Sequence, residues 1–336
     1  MSARSLNRPG QDAIARKGWL AAHKWLLLRR LSQLGILALF LVSPWLGLWL
    51  HEGNVPARPA QGAFQTDPLL ANNTGNLASS VGADTGMLQP PADIFYIIKG
   101  NFSSSVVLDV LPLTEPYVFL QMLAAGHVPV SAAITGVIIL TIFYLLIGGR
   151  VFCSWVCPVN LVTDAAGWTR RRLNIKTNHA LPANTRYWFL AGTLIASALT
   201  GTLAMEWINP VSIAHRGIIF GMGAGIWILV AVFIYDAFVA TRGWCGHLCP
   251  MGALYSLLGK TALLRVAAPK RAACDDCMDC FAICPEPQVI RPALKKVGQD
   301  SPVILDSRCT NCGRCIDVCG QQVFRLTHRF DQRSSS

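Results

Sequence analysis

Four long runs of mostly uncharged, apolar residues divide the chain. They occupy residues 31–50, 128–149, 187–205 and 217–240. About twenty helical residues, at about 1.5 Å each, reach about 30 Å, which matches the hydrocarbon core of a bilayer. The pattern therefore predicts an all-α integral membrane protein with four transmembrane helices. Between the first two runs, residues 51–127 are poor in lysine and arginine and begin with a stretch rich in turn-forming residues, which favours a long loop.

Composition and charge agree with a membrane protein. The 336 residues are 52% hydrophobic and only 14% charged, and the mean hydropathy is +0.41. The net charge of +11 comes from basic residues that flank the apolar runs, which favours membrane topology over nucleic-acid binding. The positive-inside rule then places both termini in the cytoplasm. We therefore expect a multi-pass protein of the bacterial inner membrane.

These patterns predict a division of the chain into four parts. They are a basic cytoplasmic segment at residues 1–30, a four-span membrane domain at 31–267 with a periplasmic loop at 51–127, a cysteine-rich domain at 268–330, and a tail at 331–336. A basic start with the pair Arg29 and Arg30 also occurs in cleaved export signals. The apolar core of such a signal has about 7–15 residues, which is shorter than the first run here.

Eight cysteines near the C-terminus form two copies of one motif, C-x2-C-x2-C-x3-C, displaced by 35 residues. Three cysteines at intervals of three can wrap a loop around a 4Fe–4S cluster, whose fourth thiolate comes from elsewhere. Zinc would use pairs of C-x2-C instead, and disulfides need an oxidising compartment. Pro285 follows the first copy, and Gly320 follows the second.

Residues 272–324 resemble the bacterial two-cluster ferredoxins, which are small α+β domains. In those proteins each run gives its last cysteine to the other cluster, and a proline then turns the chain away. The resemblance implies two 4Fe–4S clusters in this part of the chain. One would bind Cys274, Cys277, Cys280 and Cys319, and the other would bind Cys309, Cys312, Cys315 and Cys284.

A second repeat lies in the apolar part of the chain. The motif C-x3-C-P occurs twice, 92 residues apart, and its cysteines are Cys153, Cys157, Cys245 and Cys249. Each copy follows a predicted helical hairpin, so two parallel repeats would bring the motifs together across an approximate twofold axis. Four thiolates could then hold a third redox centre. Direct thiol exchange with a quinone and inert structural cysteines are the alternatives.

Three polar residues near the apolar runs are candidates for catalysis. Asp236 lies within the fourth run, where an ionisable group is costly and often functional, although a role in helix packing is comparable. His247 lies inside the second C-x3-C-P motif and could bind a metal, accept a proton or simply face water. Glu206 lies between the third and fourth runs with Asn209 and His215, where the alternatives are a pocket lining, a contact with a partner and a solvated cap.

The whole pattern resembles the NapH family, the ferredoxin-type membrane components of quinol dehydrogenases. The resemblance rests on GRVFCSWVCP at residues 149–158, EWINP at 206–210, GWCGHLCP at 243–250 and CMDCFAICPEP at 277–287. It implies electron transfer from quinol of the membrane quinone pool toward periplasmic nitrate reductase. The implied partners are NapG, a periplasmic iron–sulfur protein, and a membrane-anchored tetrahaem cytochrome c. Residues 53–98 depart from the family pattern as an insertion.

Two other functions are compatible with the same motifs. One is a maturation factor that reduces a metal or assembles a cofactor for another respiratory enzyme. The other is an iron–sulfur redox sensor. Maturation relatives carry extra soluble domains and a sensor should carry an output module, so we expect the quinol dehydrogenase function instead.

Overall fold

The structure is a computed structural model that describes residues 9–50, 98–100, 104–107, 111–175, 178–179, 181–182, 184–219, 225–298 and 300–331. The predicted insertion at residues 53–98 lies outside these ranges except for its last residue. The described chain forms an N-terminal helical segment, a small sheet, a central group of helices and a C-terminal cysteine-rich unit.

The N-terminal segment and the sheet come first in the chain. The helices are α1 (Gln11–Lys17), α2 (Trp19–Ala22) and α3 (Lys24–Leu50). The strands are β1 (Ile98–Gly100), β2 (Ser104–Val107) and β3 (Leu111–Thr114). They form an antiparallel sheet in the order β1-β2-β3, with Val107 opposite Leu111.

The central group contains eight helices among the described residues. They are α4 (Pro116–Ala124), α5 (Ser131–Ile147), α6 (Val151–Trp155), α7 (Val159–Arg172), α8 (Thr185–Thr200), α9 (Pro210–Ile219), α10 (Gly225–Ile234) and α11 (Pro250–Leu258). Two π-helical turns, Tyr235–Val239 and Trp244–Leu248, lie between α10 and α11. Aromatic rings fill the core, where Tyr255 packs against Tyr144 and Phe152 at centroid distances of 4.8 and 5.3 Å.

The C-terminal unit is a small α+β domain. Strand β4 (Leu264–Ala267) pairs antiparallel with β5 (Arg325–His328). Between them lie α12 (Asp279–Ile283), α13 (Ile290–Lys295) and α14 (Arg314–Val318). The core of the unit is apolar, and its buried members include Val266, Ile290, Ile304, Val323 and Phe324.

The N-terminal segment packs on the C-terminal unit. The backbone N–H of Gly10 donates to Asp279 at 2.8 Å, and the N–H groups of Trp25 and Leu26 donate to Asp317 at 3.1 and 2.9 Å. Gly313 lies beneath Trp25 with a φ of +72°, so a side chain there would be strained and would overlap the indole ring. The described N-terminal residues are therefore part of the folded cysteine-rich unit.

The predicted fold class is wrong in its account of the membrane spans. Across the described part of the chain, no helix combines the length and the hydropathy needed to cross a bilayer. Helices α5 and α8 have 17 and 16 residues, and the fourth apolar run holds a helix of 10 residues that ends in a π-helical turn. The side chains of α3 are described as far as Phe40, so its described part has 17 residues and includes Lys24, Arg29 and Arg30. Strands β1 to β3 also correct the all-α prediction for this part, because they lie within the predicted loop.

A close approach between α11 and the chain before α6 positions the first C-x3-C-P motif. A Cβ atom built on Gly149 would overlap the carbonyl oxygen of Tyr255 and would lie 2.5 Å from the backbone nitrogen of Gly259. Neither neighbour is a flexible side-chain end. Only glycine therefore fits at residue 149.

We expect Gly149→Ala to lower the free energy of unfolding by about 1–3 kcal/mol, because the methyl group must displace packed backbone. Gly192→Ala is the matched control, since it lies on the exposed face of α8 with no atom within 4 Å of the added Cβ. That control should stabilise the protein by about 0.5–1 kcal/mol. Urea unfolding of both variants measures the difference, and equal stabilities would contradict the close approach.

Candidate functional site

The first cysteine group consists of Cys274, Cys277, Cys280 and Cys319. These four residues line one cavity of about 370 Å³, together with apolar side chains that include Phe281, Leu294 and Phe324. Burial, together with the charges of the other three thiols, raises the pKa of the Cys280 thiol to about 12. The four sulfur atoms are therefore close enough for their charges to interact. Cys277 is exposed, so this group reaches the protein surface.

The second cysteine group consists of Cys284, Cys309, Cys312 and Cys315. It lines a cavity of about 350 Å³. Burial raises the pKa of Cys315 well above its ordinary value, and the charges of Cys312, Cys284 and Cys309 add to this effect. This group lies deeper than the first, because Cys312 and Cys315 are both buried.

The two loops that carry these groups share an unusual backbone. Asp276 and Met278 have positive φ angles of 57° and 65°, and Asn311 and Gly313, 35 residues later, have φ angles of 47° and 72°. The left-handed conformation turns the chain so that consecutive cysteines face one side. The duplicated sequence therefore produces a duplicated loop.

The donor set fits a 4Fe–4S cluster in each cavity. Four thiols surround each apolar cavity, and thiolates are the usual ligands of such clusters. Within the described ranges, no three His, Cys, Asp or Glu side chains converge closely enough to hold a single metal ion. The structure also brings Cys319 to the first run and Cys284 to the second, which is the exchange that the ferredoxin resemblance implies.

The third cysteine group consists of Cys153, Cys157, Cys245 and Cys249, from the two C-x3-C-P motifs. Burial raises the pKa of the Cys249 thiol to about 12, and the charge of Cys153 contributes. Burial also raises the pKa of Cys245, together with the charges of Asp236 and the other three thiols. The structure thus brings together the cysteines of both motifs.

A helix begins directly after the second cysteine of each C-x3-C-P motif. Pro158 precedes α7 and Pro250 is the first residue of α11, which are positions where proline costs no hydrogen bond. Backbone N–H groups at these helix starts lower the pKa of Cys157 and Cys249 against the larger effect of burial. A helix N-terminus favours a thiolate in this way.

The three groups lie in a row. A cavity of about 370 Å³ lies between the second and third groups and is lined by Cys153, Cys245 and Cys312. Cys312 also lines the cavity of the second group. The charge of Cys280 contributes to raising the pKa of Cys315, so the first group lies close to the second. The order is therefore first, second and third group, from the surface toward the central helices.

Two buried carboxylates connect the C-terminal unit to the central helices. Asp164 of α7 forms ion pairs with Arg30, Arg242 and Arg314, and the Arg314 pair measures 2.6 Å. Burial opposes ionisation of Asp164, but the arginine charges hold its pKa well below the ordinary range. Glu286, beside the second group, pairs with Arg150 at 2.8 Å.

Comparisons with known proteins agree with the cysteine groups. A family model described as a 4Fe-4S binding domain matches residues 131–176 and 220–271, and one described as a 4Fe-4S dicluster domain matches residues 273–323. The ferredoxin-type protein NapH of Escherichia coli is 42% identical over 97% of this chain and 97% of its own length. This chain belongs to the NapH family. It is therefore an iron–sulfur electron-transfer protein of the ferredoxin type.

Other relatives of this NapH-family chain have similar coverage. The ferredoxin-type protein NapH of Haemophilus influenzae is 38% identical over 96% of both chains. The methylamine utilization ferredoxin-type protein MauN of Paracoccus denitrificans is 45% identical over 94% of this chain and 95% of its own. No solved structure matches the chain.

The three candidate catalytic residues have different surroundings in the structure. Asp236 is buried in a π-helical turn and accepts a hydrogen bond from the backbone N–H of Trp244 at 3.0 Å. It thereby shapes the approach to the second C-x3-C-P motif of this NapH-family chain. His247 is partly buried, and its Nδ1 has no hydrogen-bond partner within the described ranges. Glu206 lies in a short 3-10 helix, Ala204–Trp207.

The residues near Glu206 have structural contacts. The side-chain oxygen of Asn209 accepts from the backbone N–H of Val211 at 3.1 Å, and its amide donates to Ser212 at 3.1 Å. This is the pattern of a helix cap for α9. The side chain of His215 lies outside the described part of the structure.

Sequence reasoning missed a buried carboxyl group, Glu115. It caps the start of α4, where it accepts from the backbone N–H of Val118 at 2.8 Å and from the Tyr255 hydroxyl at 2.9 Å. Burial raises its pKa to about 7. The pair Glu115-Pro116 is a helix-start signal that could have been recognised.

Proposed function

We propose that this chain passes electrons from quinol through iron–sulfur centres toward periplasmic nitrate reductase, as a component of a quinol dehydrogenase. The row formed by the three cysteine groups supports the proposal best, because adjacent redox centres allow single-electron transfer in steps. When bound, 4Fe–4S clusters supply one-electron acceptance, with a potential that the surrounding charges and hydrogen bonds adjust.

The side chains around the row have distinct tasks in this proposal. The first and second cysteine groups hold one cluster each, and the third group holds a further centre. Burial raises the pKa of the Cys312 thiol, but Arg314, Arg29 and nearby hydrogen bonds together lower it below its ordinary value, so the two arginines favour the thiolate that binds iron. Arg150 donates to the carbonyl of Cys245 at 3.2 Å and to Glu286 at 2.8 Å, which fixes the third group relative to the second.

The partners come from the family resemblance. We propose the quinone pool as the source of electrons, and NapG and a membrane-anchored tetrahaem cytochrome c as partners on the route to nitrate reductase. The exposed Cys277 marks the first group as a point where a partner protein can exchange electrons. Location at the inner membrane, with cytoplasmic termini, stays a prediction.

A second candidate function follows from the MauN relatives. Their identity to this chain, 44–45% over at least 94% of its length in two cases, is as high as that of the NapH proteins. The chain would then transfer electrons in methylamine utilization. The three cysteine groups would have the same task, and only the partner would differ.

The test uses membranes from a strain that lacks this chain and carries either the wild-type gene or Cys312→Ser. With a quinol analogue as donor, we expect nitrate reduction in the wild type and a rate at least about tenfold lower in the variant, because one cluster ligand is lost. Reduced viologen feeds nitrate reductase directly and is the control. Equal quinol-driven rates would contradict the proposal, and a defect confined to growth on methylamine would favour the second candidate.

A further inference from the structure

A cavity of about 530 Å³ lies where the N-terminal helices meet the cysteine-rich unit. We propose that this cavity binds the ring of the quinol that donates electrons to the chain. The inference rests on the proposed function and adds the location of the quinol site.

The walls of the cavity suit an apolar ring. Ile14 and Leu26 contribute from α1 and α3, and Ile283 and Val318 contribute from α12 and α14. Burial of an aromatic ring against such side chains removes apolar surface from water, which favours binding. A hydrated inorganic anion would gain nothing from these walls.

The polar end of the cavity carries an unusual arginine. Arg29 lines the cavity and is 1% exposed. Its Nε and Nη1 atoms have no hydrogen-bond partner among the residues that the structure describes. A buried guanidinium with free donors is costly, and a quinol or quinone oxygen would accept from it. Arg314 also lines the cavity, and its Nε atom likewise has no hydrogen-bond partner among the described residues.

His23 supplies the complementary acceptor. Its Nδ1 lies 2.9 Å from the carbonyl oxygen of Trp19, and a carbonyl can only accept, so Nδ1 carries the proton. In the neutral ring Nε2 is then an acceptor. The quinol hydroxyl can therefore donate to His23 while Arg29 donates to a ring oxygen. Asp317, the carboxylate in the lining, is already engaged by the backbone of Trp25 and Leu26.

The cavity lies beside both ferredoxin-type cysteine groups. Arg29 and Arg314 line the cavity, and their charges also favour the thiolate form of Cys312. In sequence, Ile283 precedes Cys284 and Val318 precedes Cys319. The cavity wall therefore contains direct sequence neighbours of cysteines in both groups. This position suits an electron donor better than a purely structural ligand.

The test measures binding of menadione to the anaerobically purified full chain by calorimetry. Ile14→Trp fills the cavity from a position that is 36% exposed, so it should fold. Arg29→Met keeps the length of the side chain and removes its donors. We expect each to weaken menadione binding at least about tenfold. Ile134→Trp, at a 42% exposed position on α5 away from the cavity, should leave binding within about twofold of the wild type.

The outcomes separate this inference from the proposed function. If the wild type binds no menadione, or if Ile14→Trp binds it as tightly, the quinol site is not here. Displacement of menadione by inorganic phosphate would assign the cavity to an anion and overturn the inference. If menadiol bleaches the iron–sulfur absorbance of the wild type and of Ile14→Trp at equal rates, the function stands and the site is wrong. If menadione binds but menadiol does not bleach the iron–sulfur absorbance of either the wild type or Ile14→Trp, the site stands and the function fails.

Discussion

Asp164→Asn should lower the free energy of unfolding by about 3–5 kcal/mol, which is the usual cost of removing one partner from a buried ion pair. The carboxylate of Asp164 faces Arg30 from α3, Arg242 from the start of the second C-x3-C-P motif, and Arg314 from the cysteine-rich unit. Asparagine would leave three mutually repelling guanidinium groups in a buried place. The same change should loosen the joint between the second and third cysteine groups, since Arg314 lines the cavity between them.

Chemical unfolding of Asp164→Asn and of Asp300→Asn measures this effect. Asp300 is the matched control because its side chain is 91% exposed, so its replacement should change stability by less than about 0.5 kcal/mol. Equal stability of the two variants would show that the three arginines do not depend on Asp164.

The pH dependence gives a second measure of the same ion pairs. The folded-state pKa of Asp164 lies well below its ordinary value of 3.8, so the folded state binds fewer protons than the unfolded state. The stabilisation is therefore fully present above about pH 4 and is lost as the pH falls through the folded-state pKa. The advantage of wild type over Asp164→Asn should shrink below that pH.

The cysteine groups could be predicted from sequence because their geometry is local. Cysteines at intervals of three require a tight loop, and the same left-handed backbone recurs at Met278 and at Gly313. The duplication then supplies the partner loop.

The same reasoning gave a wrong prediction for the membrane spans. A hydropathy run counts apolar residues, but it does not register where the helix ends. The fourth run is interrupted at the π-helical turn Tyr235–Val239, where buried Asp236 holds the backbone of Trp244. The second run begins after β3, whose Thr114 backbone nitrogen lies 2.8 Å from a Cβ atom built on Gly136. That packing places a sheet where the sequence indicated only a loop.

The charged contacts were also beyond sequence reasoning. Asp164 pairs with residues that are 78, 134 and 150 positions away, and no local spacing relates them. Glu115 and Tyr255 are 140 positions apart. Such pairs follow from the packing of α4, α7 and α11, which is a property of the whole fold.

The exchange of the fourth cysteine between the two ferredoxin runs leads to the prediction with the largest effect. If Cys319 completes the first group, Cys277→Ala and Cys319→Ala should remove the same cluster, with about four iron atoms lost in either case. The double variant should then lose no more iron than each single variant. In contrast, Cys277→Ala combined with Cys284→Ala should remove both clusters, because it damages the first and the second group.

Iron counting and paramagnetic resonance of the reduced, anaerobically purified variants distinguish these patterns. Cys153→Ala is the control, since it belongs to the third group and should leave both ferredoxin signals intact. If each run instead kept its own four cysteines, the results of the two double variants would be reversed. The cavity walls favour the exchanged arrangement, because Cys319 lines the cavity of the first run and Cys284 lines that of the second. A thiol that lines one cavity cannot complete the other without moving its loop, and Cys284 is held there by the turn into Pro285 and the buried ion pair of Glu286.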